Sequence, residues 1–237
     1  MNEVSIAIPF HLKGAVSNRA YEIAFKYYSR LPYTVHLCGS EEELSENFCK
    51  EFINDTTHYR EVSQNEVVFT AGGHPELLSK FNNSLHTLPD TEWKCLIGAD
   101  DIVDADFFSR LENIKVEGVC LAGILVHSLY YIVDINTSRF KRLSTHSVQG
   151  QKLSHGVSAI NRSAMKINSG NPFFEAGAEI GLELEIHRIN GAVIPINGFV
   201  LNIKGENTLH TFDNCCHYSE SFDCLDHEKT FIENVLK

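Results

Sequence analysis

The alternation of short apolar runs, each closed by proline or glycine, with longer stretches of helical periodicity narrows the folds open to this chain more than any other feature. Val4-Ser5-Ile6-Ala7-Ile8-Pro9 reads as an opening strand that stops at proline, and residues 17–30 carry apolar side chains at helical spacing. A second strand over 33–37 closes at Gly39-Ser40 and leads into an acidic helical stretch over 41–52, whose early glutamates suit the positive end of a helix dipole. A third strand is expected over 66–70, ended by Ala71-Gly72-Gly73, then a helix over 75–88 that opens with proline, then a buried strand over 93–98. Beyond these come a helix over 105–113, an apolar strand over 118–125, and a strand pair over 129–134 and 139–143. A polar loop follows, then a strand-like piece over 157–161 and a helix within 175–190. Such alternation predicts an α/β, Rossmann-like, mixed but mostly parallel sheet flanked by helices, with ligands held outside the carboxyl ends of the strands.

At 237 residues the chain suits one domain, and a chain this long buries about 70% of its unfolded surface without disulfide or metal staples. A formal charge of −11 counts against nucleic-acid binding through a broad basic face, though a local basic groove stays open. No uninterrupted apolar run reaches the roughly 20 residues of a membrane span, and Met1-Asn2-Glu3-Val4 runs straight into a strand, so a cytoplasmic location is expected. Cys38, Cys49, Cys95 and Cys120 stand singly in apolar or helical patterns, as reduced core thiols do. Cys215, Cys216 and Cys224, with His210, His217 and His227 nearby, form a denser group whose spacing matches no zinc knuckle.

The chemistry concentrates at Gly98-Ala99-Asp100-Asp101-Ile102-Val103, where two carboxylates meet at the tip of an apolar strand. Their mutual repulsion calls for a positive partner, and carboxylate oxygens select hard ions such as Mg2+ or Mn2+. The structural alternative is helix capping, since Asp104-Ala105-Asp106 reads as the start of the next helix.

This segment resembles the DxD-type turn of family-2-like GT-A glycosyltransferases, and the order of several other segments agrees. Ser5-Ile6-Ala7-Ile8-Pro9 looks like that family's first strand, Lys80-Phe81-Asn82 like its Arg/Lys-x-Asn element near the nucleotide diphosphate, and residues 177–191 like its acidic acceptor helix. The resemblance implies a GT-A fold in one domain, with a nucleotide-sugar half over 1–104, an acceptor half over 105–204 and a C-terminal extension over 205–237. It implies a metal-dependent hexosyl- or pentosyltransferase, with Mn2+ or Mg2+ on Asp100 and Asp101 and a nucleotide-diphosphate sugar, UDP-linked by preference. Pro9, His11, Arg19, Lys80, Asn82 and Asp100 would line the donor, with Lys13 beside them. The acceptor would be a glycan or a hydroxymethylated DNA base of a phage. Two departures stand out: Gly98 replaces the first aspartate of DxD, and Cys38-Gly39-Ser40-Glu41 lacks the expected base-contacting aspartate.

An inverting transfer needs a carboxylate to take the acceptor proton, and Glu179 and Glu183 are the candidates. On a helix they share a face with His187, opposite Leu182, Ile186 and Ile189; the alternation of Ile180, Leu182, Leu184 and Ile186 fits a strand equally well. Ile180 stands where the family has an acid. His155 is a further candidate at the acceptor, and His210 or His217 at the metal. Two other readings stay open: a non-catalytic sugar- or protein-binding relative, supported by Gly98 and Ile180, and a nucleotidyltransferase, which the single Gly14 after the first strand disfavours.

Overall fold

Residues 3–12, 18–40, 42–62, 75–125, 129–143, 152–153, 156–173, 179–204, 212–213 and 221–236 are described by a computed structural model. In chain order, β1 (Val4–Pro9), α1 (Arg19–Tyr28), β2 (Thr34–Gly39), α2 (Glu42–Cys49), β3 (Thr57–Glu61), α3 (Pro75–Thr87) and β4 (Trp93–Ile97) form the first half. They are followed by β5 (Asp101–Val103), α4 (Ala105–Glu112), β6 (Cys120–Ile124), β7 (Leu129–Asp134), β8 (Arg139–Leu143) and β9 (Val157–Asn161). The chain continues through α5 (Glu179–Arg188), β10 (Ala192–Ile196), β11 (Phe199–Lys204), β12 (Ser221–Phe222) and α6 (Asp226–Val235).

Seven strands form one sheet in the order β10-β6-β9-β4-β1-β2-β3, parallel except for β9, which runs against both β4 and β6. Its central strands are predominantly apolar because both faces are covered. Ile6, Ile8, Val35, Leu37, Cys95 and Ile97 pack on one side with Phe25, Tyr28 and Phe108. The alternate residues Ala7, Cys38 and Leu96 pack on the other with Leu78, Leu85, Leu182 and Ile186 from α3 and α5. Each large apolar side chain fully buried this way contributes about 1.5–3 kcal/mol. Cys38, Cys49, Cys95, Cys120 and Cys224 are all buried free thiols.

Several elements differ from the sequence expectation. The expected strand over 66–70 lies outside the described residues, and the third strand found is β3, parallel to β2. Its composition, Thr-His-Tyr-Arg-Glu, carries no apolar run, because an edge strand need not be apolar on both faces. β10, at the opposite edge, admits Pro195 because a residue facing away from the sheet needs no N–H for the ladder. A second sheet, β12-β8-β7-β11-β5, adds three unforeseen strands to the expected antiparallel pair of β7 and β8. Residues 179–188 form the helix rather than the strand, with Leu182 and Ile186 buried, while Leu184 and Ile189 lie exposed.

Candidate active site

From β1 the chain proceeds outward through β2 to β3 and then returns to place β4 on the other side of β1. The strand order thus reverses between β1 and β4, the position at which open α/β sheets bind ligands beyond the strand ends. Pro9 ends β1 and is buried; Phe10, after it, donates its N–H to the Cys38 carbonyl and packs edge-on to Phe25. His11 is exposed, with Nδ1 2.8 Å from Ser40 Oγ, which links the loops after β1 and β2. Lys80, in α3, is buried and donates through Nζ to the Phe10 carbonyl, 5.9 Å from the centre of the Phe10 ring. Asn82 accepts the Phe173 N–H at 3.0 Å and so ties α3 to the segment ahead of α5.

Gly98 to Asp101 make a tight turn closed by the Asp101 N–H on the Gly98 carbonyl at 3.1 Å, and this turn carries the chain from the first sheet into the second. Asp101 therefore begins β5, and its carboxyl group is buried. Oδ1 accepts from Asn202 Nδ2 at 2.5 Å, while Oδ2 rests against Gly98 and Gly156. A Cβ on Gly98 would collide with that oxygen, and one on Gly156 would lie 2.6 Å from it. Glycine at the position where the resembled motif carries aspartate thus has a local steric reason. Asn202 Oδ1 is itself buried and has no hydrogen-bond partner among the described residues.

The free edge of β5 is completed by a side chain. The Tyr28 hydroxyl donates to the Asp101 carbonyl and accepts from the Val103 N–H, both at 3.0 Å, as a neighbouring strand would. Tyr27 adds a bond to the Val103 carbonyl at 2.9 Å. Asp104, next along, is the residue that caps α4, accepting from the Asp106 N–H.

Asp100 points to partly open surface and is held by the end of β11. Its carbonyl accepts the Ile203 N–H at 2.7 Å, and its Oδ2 lies 3.2 Å from Lys204 Nζ. Neighbouring Tyr21 has its phenol pushed up to about 12, first by burial and then by the Asp100 charge. Asn202, Ile203 and Lys204 in succession grip the acidic pair, and none of them stood out in the sequence. The available signal was two polar residues at alternate positions of the otherwise apolar run Phe199–Lys204.

The remaining candidates are distributed differently. Glu183 is buried, and its carboxylate accepts the N–H groups of Lys152 at 2.5 Å and Leu153 at 3.0 Å, with His187 Nε2 3.7 Å away. It thereby anchors α5 to the Lys152-Leu153 segment, where Leu153 bridges Leu125. Glu179 is the first residue of α5. Arg19 is exposed at the start of α1 and lines a cleft of about 560 Å³ with Lys26, Arg30, Glu51 and Leu236, which shares no lining residue with the acidic turn. Lys13, His155, His210, His217, Cys215 and Cys216 lie outside the described residues.

A divalent ion is a poor fit to this set of donors. The Asp101 carboxyl is enclosed, the Asp100 carboxylate already faces an ammonium, and among the described residues no three His, Cys, Asp or Glu side chains converge.

No protein-family model and no curated protein matches the chain. Solved structures do. A mannosyltransferase from Pyrobaculum calidifontis, in complex with GDP-Man and Mn2+, superposes with a TM-score of 0.56 at 10% identity, over 86% of this chain and 58% of that one. The galactosyltransferase LgtC, in complex with donor and acceptor sugar analogs, gives 0.53 at 9% identity over 98% and 95% of the two chains. The 4-diphosphocytidyl-2C-methyl-D-erythritol synthase of Anaerococcus prevotii gives 0.52 at 11% identity, again over 98% and 95%. The fold of this chain is therefore GT-A-like, the nucleotide-diphospho-sugar transferase fold that glycosyltransferases and nucleotidyltransferases share.

Proposed function

We infer that the protein transfers a sugar from a nucleotide-diphosphate sugar to an acceptor hydroxyl, as a hexosyl- or pentosyltransferase. The observation that carries this reading is the Asp100-Asp101 turn at the carboxyl end of β4, beside the reversal of strand order in a GT-A-like fold. The donor diphosphate would approach this turn and the loop after β1, with His11 and Lys80 on the β1 side. The acceptor hydroxyl attacks the anomeric carbon as the nucleoside diphosphate leaves, and a carboxylate takes the hydroxyl proton. With Glu183 engaged by two backbone amides, Glu179 is the carboxylate assigned this task. A UDP-sugar is the donor to try first, and a glycan or a hydroxymethylated base the acceptor. The Mn2+ of the mannosyltransferase complex supports an ion at such a site, but the donor set at Asp100 and Asp101 argues that protein atoms already balance the charge here.

A nucleotidyltransferase is the second reading, favoured by the likeness to the diphosphocytidyl-methylerythritol synthase over 98% of the chain. The leaving group separates the two. A glycosyltransferase, or the slow hydrolysis it catalyses without acceptor, releases UDP or GDP from a nucleotide sugar. A nucleotidyltransferase releases pyrophosphate from a nucleoside triphosphate. Incubation with a panel of UDP-, GDP- and ADP-sugars should yield the nucleoside diphosphate, and Asp100→Ala should abolish it. Pyrophosphate from CTP or UTP, with no turnover of any nucleotide sugar, would replace the first reading by the second.

A further inference from the structure

The chain places its own cation where the resemblance to metal-using transferases would place an ion. Lys204 ends β11 with its side chain only 7% exposed, and its Nζ lies 3.2 Å from Asp100 Oδ2, on a carboxylate that is itself 24% exposed. Lysine is almost never buried without a partner, because removing an ammonium from water is costly. Here the partner sits on the turn beyond β4, beside the reversal of strand order. The placement is rigid: the Ile203 N–H holds the Asp100 carbonyl at 2.7 Å, and Asn202, on the same strand face as Lys204, holds the Asp101 carboxyl. An ammonium has three N–H donors, and Asp100 accepts one of them. Lysine serves widely as a point-charge ligand for phosphate.

We propose that Lys204 is the diphosphate-binding cation of this protein, oriented by Asp100, and that nucleotide-sugar binding requires no divalent ion. The inference rests on the reading of the crevice as a nucleotide-diphosphate-sugar site. Asp100 is then a positioning residue: it keeps the ammonium at the turn beyond β4, and the ammonium carries the charge complementary to the two phosphates. Charge at this position matters for the diphosphate and not for the nucleoside, which sets the pattern a test should find.

Calorimetric titration of the full chain with UDP, GDP, UDP-glucose, GDP-mannose and the matching nucleosides, in EDTA and in Mn2+, tests the proposal. One nucleoside diphosphate should bind equally well in both buffers. Lys204→Ala should weaken it at least tenfold while leaving the nucleoside unaffected, and Lys204→Arg should recover part of the loss. Because Lys204→Ala leaves a partly enclosed carboxylate without its partner, a Lys204→Met, Asp100→Asn double variant supplies a charge-neutral pair. It should fold, as the fluorescence of buried Trp93 reports, and still bind the nucleoside but lose the diphosphate preference. Binding that appears only with Mn2+ would overturn the role of Lys204 and leave the transferase reading standing. Wild-type affinity in folded Lys204→Ala or in the double variant would overturn it too. If no nucleotide diphosphate or nucleotide sugar binds wild-type protein in either buffer, both readings fall.

Discussion

Replacing Gly98 with alanine tests whether the Asp101 carboxyl is held as tightly as the geometry requires. The added Cβ would collide with Asp101 Oδ2 and stand 3.4 Å from Cγ, and the carboxyl, buried and bonded to Asn202 at 2.5 Å, is not the loose end of a mobile side chain. It must shift, and loss of a hydrogen bond of this kind costs about 1.5–3 kcal/mol. Gly156→Ala applies the same pressure from the opposite side, at 2.6 Å, and adds the left-handed penalty at φ +89°, about 1–2 kcal/mol more. Against a total stability of about 5–15 kcal/mol, both losses are measurable. Urea unfolding followed through Trp93, the sole tryptophan and fully buried, reads each one, provided the denaturant slope is unchanged. The decisive step repeats both substitutions in an Asp101→Ala background. The cost of Gly98→Ala should fall below about 0.5 kcal/mol there, because nothing remains to collide with, while Gly156→Ala should keep only its backbone penalty. A Gly98→Ala protein as stable as wild type, or a cost unchanged when Asp101 is absent, would refute the cradle.

Tyr28→Phe leaves the buried Val103 N–H and Asp101 carbonyl without their partner and should destabilise by about 1–3 kcal/mol; a change below 0.5 kcal/mol in the same unfolding assay would mean the hydroxyl does not act as the missing strand. Glu183→Gln turns an amide NH2 towards backbone donors, so hydrogen exchange at Lys152 and Leu153 should quicken about tenfold or more with a stability loss of about 1–3 kcal/mol, and unaltered exchange would argue against the anchor. His36 is held down to about 4 by burial, then by the charges of Arg60, His58 and Lys94, whereas the unfolded chain takes up that proton near 6.5. The unfolded state therefore binds more protons between those values, and stability should fall by roughly 1–3 kcal/mol as pH drops from 6.5 to 4. His36→Gln should flatten that part of the pH profile; identical slopes in the two proteins would reject the assignment.

The local pattern of the chain was enough for the strands whose two faces are both covered. β1, β4, β6 and β9 are predominantly apolar runs, and their limits follow from Pro9, Gly98 and the helical periods between them. The acidic pair, likewise, was legible as a strand-end feature, because two adjacent carboxylates directly after an apolar run mark where that run leaves the core. Local pattern gave no access to β3, whose polar residues suit an edge, or, beyond the β7–β8 pair, to the second sheet, whose other strands find their neighbours far along the chain. The parts of the site that define its electrostatics are of this second kind. Lys204 meets Asp100 across 104 residues, Asn202 meets Asp101 across 101, and Tyr28 meets Asp101 across 73. Periodicity records how deeply a residue is buried and in which local conformation, since both act within one turn or pleat. Which side chain arrives opposite it depends on strand order and register, and those are decided only when the sheets assemble.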